Sequence, residues 1–437
     1  MTTLKLMTAA WYGDREIQLN LPEVWQVQVH EPCTPPPLND EQIRAAFECP
    51  VGQEPIRELA RGRFRPCIVV DDLTRPTPAW RVMPQVLEEL RLAGIAPGQV
   101  TIVLAKGSHG PIAPDTWEKK IGREAAQRCN LHVHEYDRDL VYRGRSSFGT
   151  PVFVSRVVAN ADLLIGMGGI YPQHSTGFGG GSKLVLGVLG RRSIVGLHYG
   201  HASMEGSNEI GNTFRRDLDE IAAIVGLRTV AAVHVDARRE IVRLVTGDHQ
   251  IYYRECVDYS RAHYAAPSPD EADVVISNAY PQDVSLTFMR SKGLAPLAKA
   301  PIAASCVVIS ANSEGVGLHR LFPFLNAPRW NQQRQQFRRL SVRGPSLIFH
   351  RLSRRRRRDH SSPAQRRRII HMYSTGSLPA ELPAETELWS GTEDRLVAHS
   401  DWDRVLQRVC DEQRGRERLN VAVYSCASIQ VLERGSR

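Results

Sequence analysis

Short apolar runs recur along the chain, and each ends in a cluster of polar residues, glycines or prolines. Residues 65–70 (RPCIVV), 100–104 (VTIVL), 161–167 (ADLLIGM), 272–277 (ADVVIS) and 302–310 (IAASCVVIS) are of this kind. None alternates polar with apolar, and continuous runs of this length predict strands buried on both faces of a sheet. Between them lie stretches with helical spacing: 80–93, closed by Gly94, then 115–128, 212–225 and 250–264. Asn39-Asp40 predicts a helix start ahead of 41–50, and 55–62 reads as a shorter helix. Strand–loop–helix units in series predict an α/β fold with parallel sheets, whose polar loops gather at the carboxyl ends of the strands. The opening is different. Residues 4–30 read as a hairpin about Gly13-Asp14 followed by the alternating WQVQVHEP, and 229–248 as a second hairpin turning at Ala237-Arg238. The proline-rich 266–270 (APSPD) divides the expected domains, 1–265 and 270–437, and late strands are expected near 370–373 and 419–424.

Composition narrows the class. With 42% hydrophobic and 24% charged residues among 437, the chain is globular, which excludes a disordered or collagen-like protein. The net charge of +9 suggests nucleic acid, but 351–368 (RLSRRRRRDHSSPAQRRR) holds nine arginines against one acid, and the remainder is close to neutral. That run has no interleaved aromatics for base stacking, so a nucleic-acid partner is the weaker reading and a solvated insertion the stronger one. The eight cysteines form no CxxC and no zinc-finger spacing, which predicts reduced thiols. No apolar run approaches the ~20 residues of a membrane span. A cytoplasmic location without membrane attachment is expected.

The chemistry concentrates in 171–201 (YPQHSTGFGGGSKLVLGVLGRRSIVGLHYGH). Gly177, Gly179, Gly180 and Gly181 permit close backbone approach, and successive amides ahead of a helix can cradle an anion. Lys183 stands at the end of this cradle, but the segment is not a P-loop, which requires GxxxxGK[ST]. Histidines at 174, 198 and 201 lie nearby, the last expected to be solvated or one step back from any ligand. Two other strand ends carry candidate residues: Asp71, Asp72, Thr74 and Arg75 in a loop stiffened by Pro76 and Pro78, and Lys106 to Gly110 with His109.

DDLTRPTP at 71–78, GSH at 107–109, GFGGGSK at 177–183 and His198, with WYGDREIQLNLP near the start, together resemble the nickel-dependent lactate racemase family over about 8–250 and more loosely over 270–300. The resemblance implies a nickel-pincer nucleotide joined covalently to Lys183, with His198 as the protein ligand to nickel. Gly179, Gly180, Gly181 and Ser182 would hold its phosphate, with Thr74 adjoining. It implies racemisation or epimerisation of a small 2-hydroxy acid through a 2-oxo acid, by transient hydride transfer to the cofactor. His109 and His174 would be the two acid–base groups, Arg75 the carboxylate clamp, and Asp72 the group that orients the site. Lys292 would reach in from the second domain, placing the site between domains. Cofactor-maturation proteins are implied as partners. The alternatives are a catalytically silent relative and a nucleic-acid-binding protein using the arginine run. Departures from the family pattern concern substrate. Gln173 separates Pro172 from His174, Gly110 follows His109 in place of a basic residue, and Phe288 and Met289 stand where a Tyr-Gln pair is usual. A substrate more apolar than lactate is the corresponding expectation.

Overall fold

The computed structural model describes residues 1–201, 208–324, 368–388, 394–414 and 416–433. The arginine run up to 367 lies outside the described residues.

Two sheets organise the chain. The first has the order Ile241–Gly247, Leu227–Val235, Leu163–Gly169, Pro66–Asp71, Thr101–Ala105, Asn130–Val133. All neighbours are parallel except the edge strand Ile241–Gly247. Its apolar runs do not alternate because both faces are covered. Ile68, Val70, Ile102, Leu104 and Ile165 feed one core, and Cys67, Val69, Val103 and Leu164 feed the other. The α/β expectation therefore holds, with parallel sheets at the centre of both halves.

The second sheet has the order Glu385–Glu387, Arg395–His399, Ile369–Ser374, Ser305–Ser310, Val274–Asn278, Asn420–Tyr424, Gln26–His30. Both late strands are present. Its last member corrects the linear division at 265/270, because Gln26–His30 pairs in parallel with Asn420–Tyr424. The hairpin Thr2–Thr8 with Arg15–Leu21 goes with it, burying Leu4, Leu6, Leu19 and Leu21 against Val274, Ile276, Val421 and Val423. Asp283 fixes this arrangement by accepting from the amides of Ala9 at 2.9 Å and Ala10 at 3.2 Å. Asp14, in the hairpin loop, receives Arg239 Nη1 from one half and Tyr280 Oη from the other, each at 2.9 Å.

Local signals behave as their chemistry requires. Asn39 caps Asp40–Glu48 through a reciprocal capping box with Gln42. Asn212 caps Thr213–Val225, which ends on Gly226 at φ +89°. The single helix expected over 115–128 is two, Thr116–Ile121 and Arg123–Arg128, because Gly122 between them takes φ +84°. The helix carrying Lys292 is a short turn, Leu286–Phe288, followed by the wider π-helical turn Met289–Gly293 and Ala295–Lys299.

Candidate active site

The loops that leave Pro66–Asp71, Thr101–Ala105 and Leu163–Gly169 emerge side by side, since these three strands are parallel neighbours. They open onto a cavity of about 1280 Å³ that is also lined by residues from 287–298 and 319–324. Asp72, Arg75, His109, His174, Gly179, Gly180, Lys183, His198 and Lys292 all line it. Residues spread over more than half the chain thus share one chamber.

The loop after Pro66–Asp71 is held from below by a buried lysine that sequence reasoning passed over. Lys120 Nζ pairs with Asp71 Oδ1 at 2.5 Å and donates to the carbonyls of Asp72 at 3.2 Å and Arg75 at 3.3 Å. Asp72 then faces the cavity and accepts from His109 Nδ1–H at 2.6 Å. Burial works to raise the Asp72 carboxyl, but His109, Arg75 and the Thr74 hydroxyl outweigh it and hold the group well below the usual carboxylate range. His109 is lowered by burial, an effect opposed by Asp72. With Nδ1–H committed to a carboxylate, the neutral ring carries its lone pair on Nε2.

His198 sits on Arg191–Gly200, and its Nδ1–H donates to the Ile194 carbonyl at 2.9 Å. Burial, with the charge of Lys183 adding, brings it down to about 4, so at neutral pH it is a neutral imidazole with its lone pair on Nε2. Lys183 opens the short turn Lys183–Leu186. Burial first, then Arg75 and Arg215, push its amine down to about 7, so at neutral pH much of it is the uncharged nucleophile. Lys292 falls well below its ordinary value for the same reason, burial first and then Arg75 and Lys183. Arg75 lines the same cavity, and an anion entering it would favour the protonated forms of Lys183 and Lys292, so the cavity suits an anion. His174 is at the rim, more exposed than the others, with Nε2–H donating to Ser291 O at 3.1 Å; burial and then Lys292 lower it.

Several expected roles change. Gly179 N–H donates to Tyr171 O at 2.8 Å and Gly181 N–H to Tyr252 Oη at 2.9 Å, so two of the three cradle amides are spent on protein acceptors. The glycines are needed for the backbone itself: Gly180 and Gly181 take φ of +72° and +54°, and a Cβ at Gly179 would lie 2.9 Å from the Gly169 carbonyl oxygen. Gly181, Ser182 and Thr74 are not among the residues that line the cavity. The Thr74 hydroxyl donates to Asp72 Oδ1 and accepts from Arg75 Nη1 at 2.9 Å, which makes it part of the loop's own bracing. His201 is not solvated; it is buried, with Nε2 2.7 Å from Asp217 Oδ2. Phe288 faces the cavity, edge-on to His109 at 4.8 Å, whereas Met289 is wholly buried in an apolar cluster with Val275, Cys306 and Val308 of the second sheet. Among the described residues no group of three His, Cys, Asp or Glu side chains could hold a metal ion. A metal at His198 would have to arrive with its other ligands.

The fold and the chamber together define a two-sheet α/β protein with a cationic, imidazole-lined site at the carboxyl edge of its first sheet. Residues 12–211 match the model of the lactate racemase N-terminal domain. The chain is 28% identical over 264 residues to a lactate racemase of Lactiplantibacillus plantarum, a match covering 58% of this chain and 61% of that protein's length. It is 24% identical over 296 residues to a lactate racemase of Thermoanaerobacterium thermosaccharolyticum, covering 65% and 69%. The solved lactate racemase apoprotein of that organism shares the fold, with a TM-score of 0.72 at 18% identity over 99% of this chain and 100% of the other. A Thermotoga maritima protein does so with a TM-score of 0.62 at 14% identity, over 92% and 100%.

Proposed function

We propose that the protein is an isomerase that interconverts the stereoisomers of a 2-hydroxy acid through the 2-oxo acid, using a nickel-pincer nucleotide joined to Lys183. The observation that carries this reading is the gathering of Lys183 and His198 in one cavity with the Asp72–His109 pair, Arg75 and Lys292. The residues fit the group. Lys183 offers a buried amine of lowered pKa for attachment, His198 offers one neutral nitrogen for a metal that brings its own ligands, and the cationic lining suits a phosphate. When bound, the group supplies a reversible acceptor for the C2 hydride.

The chain's own residues do the rest. Arg75 and Lys292 hold the substrate carboxylate. His109 Nε2 takes the C2 hydroxyl proton of one enantiomer, with Asp72 fixing its tautomer and stabilising the imidazolium through Nδ1–H. His174, whose Nε2–H is given to Ser291 O, presents Nδ1 as the base for the other enantiomer. Both rings are lowered from the ordinary histidine value and are neutral acceptors at pH 7. Phe288 beside His109 favours a substrate whose C2 substituent is apolar.

The test is maturation with cofactor-synthesis proteins, followed by incubation with single enantiomers from a panel of 2-hydroxy acids. Loss of optical purity together with an intact-mass adduct that disappears in Lys183→Ala is expected. Racemisation undiminished in Lys183→Ala would refute the attachment, and an adduct without turnover of any acid would indicate a silent relative.

A further inference from the structure

The chamber contains a further imidazole, that of His319, which the proposed chemistry does not use. His319 lies in the second domain, beyond Ser305–Ser310, and lines the cavity beside His109. Its position follows from backbone pairing. Residues 109 and 319 form an isolated antiparallel bridge, and Arg320 N–H donates to Ser108 O at 3.0 Å. Residues directly opposite in an antiparallel pair present their side chains on one face. The two rings are accordingly 5.2 Å apart between centroids. The approach depends on Gly110, because a Cβ there would lie 2.9 Å from Leu318 Cβ.

The ring's tautomer is set by its own loop. His319 Nδ1 accepts from the amides of Leu321 and Phe322, each at 3.3 Å. A nitrogen that accepts two N–H groups is unprotonated, so the neutral ring carries its proton on Nε2, at the end away from the loop backbone. His109 shows the converse pattern, a lone pair on Nε2 and N–H on Nδ1. One ring is a base and the adjacent one a donor. Burial, with His109, His198, Arg75 and Arg290 nearby, keeps His319 from becoming charged.

We infer that His319 is a further substrate-facing residue, whose Nε2–H donates to the C2 oxygen while His109 exchanges that oxygen's proton. This rests on the proposed 2-hydroxy acid chemistry and adds to it. A fixed neutral donor is matched to an oxygen that passes between hydroxyl and carbonyl, because it interacts with both forms without offering a competing proton transfer. It would also tie completion of the site to the docking of residues 318–320 on 108–110. No bond is made or broken at His319; the proton goes to His109, and the C2 hydride would be accepted by the group held at Lys183.

Two substitutions separate this role from a structural one. Asn at 319 keeps an acceptor near the Nδ1 position and so preserves the loop's amide bonds, but has no donor at the Nε2 position. Gln places an amide N–H near Nε2. His319→Asn is expected to melt close to wild type, to form the Lys183 adduct normally, and to lose kcat by roughly 10- to 100-fold, the usual effect of deleting one donor to a reacting oxygen. It should also bind pyruvate or phenylpyruvate at least several-fold more weakly in calorimetric titration of the unloaded protein. His319→Gln should recover a substantial part of both. His319→Asn with wild-type kcat and 2-oxo acid affinity would overturn the inference, as would equal losses in Asn and Gln variants that track a lowered melting temperature. Wild-type protein that racemises no acid would count against the proposed function, and the two titrations would still decide whether His319 contacts a 2-oxo acid.

Discussion

Replacing Asp72 by Asn tests the organisation of the proposed base with little change in shape. Asp72 Oδ2 lies 2.6 Å from His109 Nδ1, and Oδ1 accepts from the Thr74 amide at 3.1 Å and from the Thr74 hydroxyl. The Asn side chain can retain the Thr74 bonds through its amide oxygen. Its NH₂ then faces His109 and favours the tautomer with the lone pair on Nδ1, which puts the proton on Nε2 and removes the acceptor from the cavity. Loss of the carboxylate also removes the interaction that opposes burial in lowering His109, so the ring becomes a weaker base. General-base catalysis is worth about 10²–10⁴-fold, and a wrong tautomer forfeits most of that, so kcat should fall by about 10³. The charge-assisted bond contributes about 1.5–3 kcal/mol to stability. Because the Asp72 carboxyl is depressed in the fold, that contribution is present above about pH 4 and is lost as pH falls through the folded value, below the ordinary carboxylate range. Wild type and variant should therefore differ in denaturant midpoint at pH 7 and converge in strong acid. Steady-state racemisation and intact mass on matured protein complete the assay. A variant with its Lys183 adduct in place and kcat within threefold of wild type would refute the Asp72–His109 assignment.

Other outcomes follow from the same geometry. In the unloaded protein Lys183 has its pKa lowered from 10.5 to about 7, so between these values the unfolded chain binds the extra proton and stability rises with pH. Lys183→Met should be more stable than wild type at pH 7 by a few kcal/mol, at about 1.4 kcal/mol per pKa unit, with the difference shrinking as pH approaches 10; a pH-independent difference in chemical denaturation would contradict the buried-amine picture. His109→Gln and His174→Gln should each slow racemisation in both directions, as a racemase's unit equilibrium constant requires. Single-turnover formation of 2-oxo acid should nevertheless be impaired chiefly from opposite enantiomers in the two variants, and identical enantiomer preference would show that the two histidines do not divide the work.

Much of the site was legible because its residues belong to strand ends. A buried parallel strand must stop where polar residues begin, so 65–70, 100–104 and 161–167 announced three loops at one edge, carrying Asp72, Arg75, His109 and Lys183. The caps at Asn39 and Asn212 were readable for a similar reason, since they depend on neighbours within a few residues. The glycine run was legible as a place of close approach but not as to what approaches. The amides of Gly179 and Gly181 meet Tyr171 and Tyr252, and an acceptor 71 positions away from Gly181 leaves no local trace.

The sequence by itself determined the alternation of buried strands with helices, and the amine, imidazoles and guanidinium available at their ends, because hydrophobic period and turn chemistry are properties of consecutive residues. Tertiary structure alone decided that Gln26–His30 joins the far sheet, that Lys120 braces the Asp71–Arg75 loop, and that His319 lies beside His109. Each of these depends on backbone pairing or burial between segments tens to hundreds of residues apart, where the stabilisation comes from the partner and not from the neighbouring chain.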